Sequence, residues 1–444
     1  MTPDDWAPSP RVADALAHWG DHCDTQLLAP HPAPPAPRPT RPRRLLVVSA
    51  ACAAVIVVAG TVVLVDRWGR ASRDVSVGTY GAHSAPAPSS GVQSVTGQGP
   101  VSIQEHASLK AYPTAGSNGC EMAAFGLPGG NGRPSAVAPG DGGSIWFVDP
   151  GASSVGRIDA TGTVTRYPLP AGSGPQGVAR GSNGDIWFTE AGTTAGGPDD
   201  VPDAPVPAIG RVTAAGAVEH FPLPTRGANP LGPPGTGSLP TAVTAGRDGA
   251  MWFTETGADA IGRITSNGAI TEFLLPSRGQ VHAAPGAIVS GPDGALWFTQ
   301  PLRESLGRID PDTHAFSEFF LPPPRGGIVR AASLASGPGN ALWYEDGRNQ
   351  ALGRVTPDGK VDAVPLPAGG GYRPWAVTAG TDGRLWVVDL LGSRVVSVTP
   401  GGAVTPFPSV DGLTMGAPQQ MAVATDGAVW FAIAGANGIG RIAC

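Results

Sequence analysis

Residues 240–276 read PTAVTAGRDGAMWFTETGADAIGRITSNGAITEFLLP, and this stretch decides the fold. It holds four short apolar runs that are separated by turn residues. Successive copies of its tryptophan lie 41, 65, 45, 46, 43 and 44 residues apart, at Trp146, Trp187, Trp252, Trp297, Trp343, Trp386 and Trp430. A period of roughly 40 to 50 residues with four strands per copy is typical of propeller blades. The sequence therefore predicts an all-β, seven-bladed β-propeller, and the long second spacing predicts insertions in blade two.

Each copy predicts a four-stranded antiparallel meander. The bulky run around Trp252 is short, as expected of a buried strand. Asp248 and Gly249 stand before it and supply the positive-φ residues of a two-residue hairpin, so the first strand returns as the second. The third strand is the Ile-Gly-Arg-Ile run from Ile261. The fourth ends before Pro276, because a proline cannot donate to the ladder and suits an outer edge.

The circle of blades is predicted to close within one blade. The seventh copy stops after its third strand, which ends at Cys444, and the missing fourth strand matches residues 121–128 ahead of the first copy. Alignment with the complete third blade puts Cys120 and Cys444 two residues apart across a hairpin turn, a separation that suits a disulfide. We expect this bridge to join the two ends of the propeller, and the alternative is two unpaired thiols.

The chain ahead of the propeller contains one long apolar run, residues 45–65. At about 1.5 Å per residue it is long enough to cross a bilayer as a helix, and the alternative of a signal peptide is weakened by the long tail before it. Arginines crowd its N-terminal side, which favours a cytoplasmic N-terminus. The prediction is a disordered, proline-rich cytoplasmic tail (1–44), a transmembrane helix (45–65), a flexible extracytoplasmic stalk (66–119) and the propeller (120–444), located at the cell membrane as a single-pass protein.

Charge and motifs narrow the function. From Cys120 onward, 20 Lys and Arg stand against 27 Asp and Glu, a net charge of −7 without a basic stripe, which argues against a nucleic-acid partner. The sequence contains no P-loop, no H-E-x-x-H, no G-x-S-x-G and no C-x-x-C motif. We expect a monomer that binds a small molecule or peptide at the mouth of the propeller.

One candidate site lies at the ends of the second strands. The residues three positions after each tryptophan are Asp149, Glu190, Glu255, Gln300, Asp346, Asp389 and Ile433. Five of these seven are carboxylates, and oxygen ligands around a concave mouth suit Mg²⁺, Ca²⁺ or a cationic ligand. The alternative is that each carboxylate is a polar strand end, paired with a neighbouring arginine or a turn amide.

A second candidate site is formed by the residues that follow the proline at the start of the first strands, namely Ser135, Gln176, Thr241, Gly286, Trp375 and Gln419, with Ala332 at the matching place in blade five, where Ala331 replaces the proline. We expect them to surround the axis, where a tryptophan beside two glutamines offers a stacking surface and amide hydrogen bonds. The candidate ligand-binding residues are therefore Gln176, Thr241, Trp375 and Gln419, with the carboxylates of Glu190, Glu255, Asp346 and Asp389. His282 precedes blade four and is the one histidine expected near this rim.

The blade pattern Pro-x-(Ala/Gly)-(Ile/Val), Asp-Gly-x-(Ile/Leu)-Trp-Phe-Thr-Glu, Ile-Gly-Arg-Ile and Glu-Phe-x-Leu-Pro closely resembles that of the virginiamycin B lyases, or streptogramin lyases, over residues 121–444. The resemblance implies an enzyme that linearises cyclic depsipeptide antibiotics of the streptogramin B type. It implies Mg²⁺ and an elimination that opens the ester. It also implies catalytic histidines after the first-strand proline of late blades and a glutamate just after the last Trp-Phe.

The positions that match this catalytic pattern carry other residues. Trp375 and Gln419 stand where the histidines are expected, and Ile433 and Ala434 stand where the glutamate is expected. Because neither tryptophan nor glutamine can accept a proton near neutral pH, no catalytic residue remains at these positions. The sequence favours a ligand-binding or sensing homologue. The alternatives are an active Mg²⁺-dependent lyase and a protein-docking propeller, and the insertions at 191–208 and 225–238 are candidates for a lid.

Overall fold

The computed structural model divides the chain into two compact units, Met1–Gly91 and Val92–Cys444. It describes residues 44–48, 54–58, 61–65, 102–112, 119–192, 206–224, 237–278, 281–321, 331–347, 349–410 and 420–444. Gln419 lies outside these ranges, as do the predicted tail up to residue 43 and residues 193–205 and 225–236 of the two predicted lid segments.

The described residues of the apolar run at 45–65 do not form the predicted helix. They form a three-stranded antiparallel sheet of β1 (Arg44–Val48), β2 (Ala54–Val58) and β3 (Thr61–Val65). Valine, isoleucine and threonine make up much of this run, and their β-branched side chains favour extended backbone. Within the described ranges, the structure has no helix with the length and apolarity that a membrane crossing requires. The predictions of a transmembrane helix and of a single-pass location at the cell membrane are therefore wrong.

The second unit is the predicted seven-bladed propeller. Three strands precede the first repeat, namely β4 (Ile103–His106), β5 (Ser108–Tyr112) and β6 (Glu121–Gly126). Blades one to three contain β7 (Ala136–Pro139), β8 (Ile145–Asp149), β9 (Ser154–Ile158) and β10 (Thr163–Pro168); β11 (Pro175–Arg180), β12 (Ile186–Glu190), β13 (Ala208–Val212) and β14 (Val218–Pro222); and β15 (Pro240–Ala245), β16 (Met251–Glu255), β17 (Ala260–Ile264) and β18 (Ile270–Leu274).

The remaining blades repeat the same antiparallel order. They contain β19 (Ile288–Ser290), β20 (Leu296–Gln300), β21 (Ser305–Ile309) and β22 (Phe316–Phe320); β23 (Leu334–Gly337), β24 (Ala341–Asp346), β25 (Ala351–Val355) and β26 (Val361–Pro365); β27 (Pro374–Ala379), β28 (Leu385–Asp389), β29 (Arg394–Val398) and β30 (Val404–Ser409); and β31 (Met421–Val423), β32 (Val429–Ile433) and β33 (Gly438–Ala443). The innermost strands contact one another in the closed order β7, β11, β15, β19, β23, β27, β31 and again β7.

The blades are held together by apolar layers, one at each of the seven interfaces. Trp187 of blade two, for example, packs with Val243 and Phe253 of blade three. The repeat glycine of the third strand belongs to this packing, because an added Cβ at Gly210 would overlap the ring of Phe188. Close packing of this kind makes the repeat sensitive to changes of volume.

Polar residues that recur in the copies of the repeat lie on both sides of its tryptophan. Asp248 accepts hydrogen bonds from Trp252 Nε1 at 3.1 Å and from Arg263 Nε at 2.7 Å. Burial alone raises the pKa of Asp248, but these hydrogen bonds outweigh it and hold the pKa below its usual value. The preceding turn differs from the prediction. Gly246 N donates to Ala250 O, so the loop between them has three residues and not two. Gly249, the last of the three, has a φ of 76°. This turn is the three-residue hairpin with a left-handed glycine.

The closure of the ring is confirmed. β6 pairs with β33 from Glu121 opposite Ala443 to Gly126 opposite Gly438, and it supplies the outer strand that the seventh blade lacks. Cys120 and Cys444 are bonded, with Cα atoms 4.0 Å apart. The two ends of the propeller are therefore joined both by a strand pair and by a covalent bond.

The segment just ahead of the propeller adds two further strands. β5 pairs with the outer edge of β6 in blade seven, and β4 pairs with the outer edge of β10 in blade one. Between them, Ala107 N donates to Gly162 O at 2.9 Å. Residues 103–112, which the sequence analysis placed in a flexible stalk, instead form a strap across the seam between the first and last blades.

Candidate functional site

The strand-two ends do not form an open ring of carboxylates. Every one of the seven side chains is buried, and each polar one is held within its own blade. The backbone pairing places Glu190 opposite Pro175, Glu255 opposite Pro240 and Asp389 opposite Pro374, so these residues do lie beside the entrances of the first strands. Their side chains are nevertheless buried and not exposed to solvent.

In blade one, the Asp149 carboxylate is held by one guanidinium group and two backbone amides. Its carboxylate accepts hydrogen bonds from Arg166 Nη1 at 3.1 Å and from the backbone N–H groups of Arg133 at 2.6 Å and Ala152 at 3.1 Å. Asp389 in blade six is similar. It accepts Arg373 N at 2.8 Å and Arg394 Nε at 3.1 Å. Both carboxylates behave as the paired strand ends that the sequence analysis kept as the alternative.

Blade two contains a histidine–carboxylate pair. His220 Nδ1 lies 2.6 Å from Glu190 Oε2, and the other carboxylate oxygen of Glu190 is buried without a hydrogen-bond partner. Burial favours the neutral ring, but the hydrogen bond and the charge of Glu190 outweigh it and raise the pKa of His220. Sequence reasoning missed this residue. The sequence signal was its position in the fourth strand. The equivalent position in blade one holds Arg166, which faces Asp149.

In blade three, Glu255 has a second carboxyl group, that of Glu272, as a neighbour. Glu255 is fully buried; Ser238 Oγ donates to it, and its Oε1 has no hydrogen-bond partner. Burial and the neighbouring charge of Glu272 raise the pKa of Glu255 to about 8. The carboxyl group is therefore protonated at neutral pH.

Blades four and five complete the set. Gln300 Nε2 donates to Ser305 Oγ at 3.1 Å and to Glu318 at 3.2 Å, and Asp346 accepts Asn349 Nδ2 at 2.7 Å. Each of these side chains also finds its partner inside its own blade.

The Mg²⁺ implied by the family resemblance does not fit these residues. In the part of the chain that the structure describes, no three His, Cys, Asp or Glu side chains are close enough together to hold a metal ion. At the positions that match the family's catalytic groups, Trp375 has no oxygen ligand. Ala434 has none either, where it opens a 3-10 turn, and Ile433 is apolar and buried.

The strand-one entrances do lie together around the axis, because their strands contact one another in a closed ring. Ser135, Gln176, Thr241, Gly286 and Trp375 are half-buried, and Ala332 is exposed. Thr241 Oγ1 lies 2.6 Å from Thr256 Oγ1, and Gln176 Nε2 donates to Gly174 O at 3.4 Å. All six described entrance residues are uncharged.

The late-blade part of the mouth combines an aromatic surface with a buried amide. Trp375 packs against the apolar layer between blades six and seven, which includes Met421. Gln420, which directly follows Gln419, has its Oε1 buried without a hydrogen-bond partner. A buried acceptor of this kind costs free energy until a donor reaches it. Gln420 was not among the residues singled out from sequence.

His282 is held by a carboxylate near the same face. Its Nδ1 lies 2.9 Å from Asp259 Oδ2, while Asp259 Oδ1 accepts the backbone N–H groups of Ala283 at 3.1 Å and Ala284 at 2.8 Å. The carboxylate thus fixes the orientation of the imidazole ring.

Glu345, like Glu255, is a buried carboxyl group, and it was not singled out from the sequence. It accepts Ser333 N at 2.9 Å, Ser333 Oγ at 2.7 Å and also Ala332 N. Burial, partly offset by these hydrogen bonds, raises the pKa of Glu345 to about 8. The sequence signal was its place two residues after Trp343, where blades two to four carry threonine.

Comparisons with known proteins agree with this architecture. A model of the virginiamycin B lyase family matches residues 209–442, more than half of the chain. A catalytically inactive histidine-to-alanine variant of virginiamycin B lyase from Staphylococcus aureus with quinupristin is 27% identical, with a TM-score of 0.60, and the match covers 73% of this chain and 99% of that one. A streptogramin B lyase structure is 27% identical with a TM-score of 0.59 and coverages of 73% and 97%.

More distant matches share the fold alone. YCF48 bound to D1 peptide is 13% identical, with a TM-score of 0.51 and coverages of 73% of this chain and 95% of that one. A search of curated proteins gives no match. With the family model, the two lyase structures and the closed ring of seven blades in agreement, the chain belongs to the virginiamycin B lyase family.

Proposed function

We propose that this protein is a ligand-binding homologue of the lyases that does not open streptogramins. The observation that carries the proposal is the occupation of the family's catalytic positions by Trp375 and Ala434, side chains without a base or a metal ligand. An elimination needs a group that removes a proton within hydrogen-bond reach of it. The rim carboxylates do not supply one, since they are buried and engaged inside their blades.

The mouth itself favours an uncharged ligand. The described entrance residues carry no charge, Trp375 offers a half-buried aromatic surface, and Gln420 has a buried oxygen that lacks a donor. A ligand with a ring for the tryptophan and an N–H or O–H for the glutamine matches these two features. Sites of this type place a few polar groups on a largely apolar lining.

The test is direct. The purified full-length protein is incubated with a streptogramin B antibiotic and Mg²⁺, with the Staphylococcus aureus lyase as positive control. Chromatography with mass spectrometry separates three species, because elimination gives a linear isomer of the substrate and hydrolysis adds the mass of one water. We expect only intact antibiotic. Turnover that a chelator abolishes would overturn the proposal.

A second candidate function rests on the His282–Asp259 pair. A carboxylate that orients an imidazole is the arrangement found around many general bases, so a lyase with a relocated base is the competing hypothesis. His282→Ala separates the two. Turnover by the unmodified protein that this variant loses would establish the relocated base.

A further inference from the structure

The fourth strands of the blades differ at one position on the outer edge. The residue opposite the first residue of strand three is proline in blades one, two and five, at Pro168, Pro222 and Pro365. Blade six carries Pro406 and Pro408 in the same strand. Proline has no N–H to offer an added strand, so it protects an open sheet edge.

Blades three and four lack this protection. Leu274 and Phe320 occupy the proline position, opposite Ala260 and Ser305, and they are 71% and 54% exposed. In the described part of the chain, β18 and β22 are the outermost strands of their sheets. These two neighbouring blades therefore present unblocked edges with large apolar side chains, which marks an interaction surface.

The chain itself shows how such an edge is used. β4 pairs with β10 from Thr163 to Arg166 and ends before Pro168. β5 pairs with β6 up to Gly126, which occupies the same position in blade seven and is not proline. An outer edge without proline thus accepts an added antiparallel strand up to its last residue.

The edge of β22 also borders a groove. Pro276, Ser277 and Arg278 line one side, and Phe316–Glu318 line the other. Arg303, which is almost fully buried, donates to Pro276 O at 3.0 Å and to Val281 O at 3.3 Å. The wall opposite β22 is therefore tied to blade four by a buried arginine.

The charge exposed at this groove is positive. Arg278 Nε donates to Glu318 at 2.8 Å, and its guanidinium carbon lies 4.8 Å from the centre of the Phe320 ring. The side chain of Arg278 is 52% exposed, whereas that of Glu318 is 5% exposed and also accepts Ser305 Oγ at 2.8 Å. A partner that approaches this edge meets the guanidinium group and an apolar ring, but little of the carboxylate.

We infer that the outer edge of β22 binds an extended acidic segment of a partner protein, which adds to blade four as a fifth antiparallel strand. Main-chain hydrogen bonds to β22 supply affinity, as in other strand-addition complexes. An apolar side chain of the segment packs on Phe320, and a carboxylate meets Arg278. This surface lies on the outer strand of one blade and is independent of the proposed ligand site at the mouth.

The probe for this proposal comes from the strap. A labelled peptide of residues 107–114 with Lys110→Glu is compared with the unchanged peptide by fluorescence anisotropy on the full-length protein. In the β5–β6 register residue 110 lies opposite Ala124, the place that Glu318 holds in blade four. The carboxylate should therefore reach Arg278, and the acidic peptide should bind about tenfold more tightly than the parent.

Three variants locate the site. Phe320→Pro installs the residue that three other blades tolerate at this place, and it should weaken binding of the acidic peptide at least about tenfold. Arg278→Gln should remove the preference for glutamate over lysine. Leu391→Ala removes an exposed apolar side chain of blade six, far from this edge, and is the control that should leave the affinity unchanged, with circular dichroism confirming the fold of each variant.

The opposing outcomes are equally definite. Absence of saturable binding by the acidic peptide, or equal affinity for Phe320→Pro and the unmodified protein, would overturn the proposal. Light scattering measures the molar mass in solution and so tests whether a second copy of this chain occupies the edge. A dimer that Phe320→Pro converts to a monomer would show that another molecule of this chain, and not an acidic partner, covers the edge.

Discussion

Blades two to four and blades five to seven differ at the residue two positions after the tryptophan. In the early group this residue is threonine, and the hydroxyls of Thr189 and Thr254 join their own blade to the next one. Thr254 Oγ1 accepts Ala242 N at 3.1 Å in its own blade and donates to Gly286 O at 2.7 Å in the next. In the late group the same position holds Glu345, Val388 and Ala432.

The late group replaces this hydrogen bond in only one blade. In blade five, Glu345 holds Ser333, and Ser333 Oγ accepts Val377 N of blade six at 3.0 Å. In blades six and seven an apolar side chain fills the position. The same two blades carry Trp375 and Ala434 at the family's catalytic positions. Hydrogen bonds from this position or its partner thus join blades two, three and five to the next blade, whereas an apolar side chain stands there in blades six and seven, which match the family's catalytic pattern.

The largest expected effect comes from removing the one polar link in the late group. Glu345→Ala leaves the N–H groups of Ala332 and Ser333 without an acceptor in a buried site, and it also opens a cavity. We expect a loss of about 3 to 4 kcal/mol in the free energy of unfolding, measured by urea denaturation. Glu345→Gln keeps an acceptor and is the control. A loss below about 1 kcal/mol for Glu345→Ala would show that the link is dispensable.

The same carboxyl group predicts a pH dependence. The pKa of Glu345 is raised to about 8 in the folded protein, whereas the unfolded chain titrates near its ordinary value of about 4.3. Between these values the folded state binds more protons, so the free energy of unfolding falls as the pH rises and levels off above about pH 8. Denaturation between pH 5 and pH 8 should show Glu345→Gln losing less than the unmodified protein, by about 3 to 4 kcal/mol for these two pKa values. Parallel curves would exclude this role.

In the early group the expected effect is smaller, because two blades share the same inter-blade hydrogen bond. Thr254→Val removes one accepted and one donated hydrogen bond at nearly constant volume, and it should cost about 1 to 2 kcal/mol. Thr254→Ser keeps the hydroxyl and should cost less than half as much. Equal losses for the two variants would assign the effect to packing and not to the hydrogen bonds.

The smallest expected effect is on turnover. Trp375→His combined with Gln419→His restores the two imidazoles of the family pattern, but Ala434 still offers no carboxylate. We expect no ring-opened streptogramin from this double variant in the mass-spectrometric assay. Measurable product from the two histidines alone would show that the carboxylate is not required.

The fold was predictable because its information is local and repeated. The tryptophan spacing predicts seven blades, and the unmatched strand at residues 121–128 predicts both the closure and the disulfide. The strap of β4 and β5 was not predictable, since its short, partly polar segments gain their structure from the edges of distant blades. The run at 45–65 was misread because length and apolarity were weighed above its β-branched composition.

The site was less predictable than the fold. Asp149, Glu190, Glu255 and Asp389 were placed correctly at the ends of the second strands, but the pattern gave no sign that their side chains are buried and find their hydrogen-bond partners within their own blades. His220 and Glu345 depart from the consensus of their repeat positions, and such departures are the sequence signal that comes nearest to identifying them.

The disulfide has a mechanical consequence. Cys120 and Cys444 are separated by 324 residues of chain but are joined at one point of the ring. Tension applied between the segment ahead of β4 and Cys444 would pass along β4 and β5 and through the S–S bond. The covalent chain of the seven blades lies outside this path, so the blades resist only through the pairing of β4 with β10 and of β5 with β6. A single proteolytic cut within any blade would likewise leave both fragments on one covalent molecule.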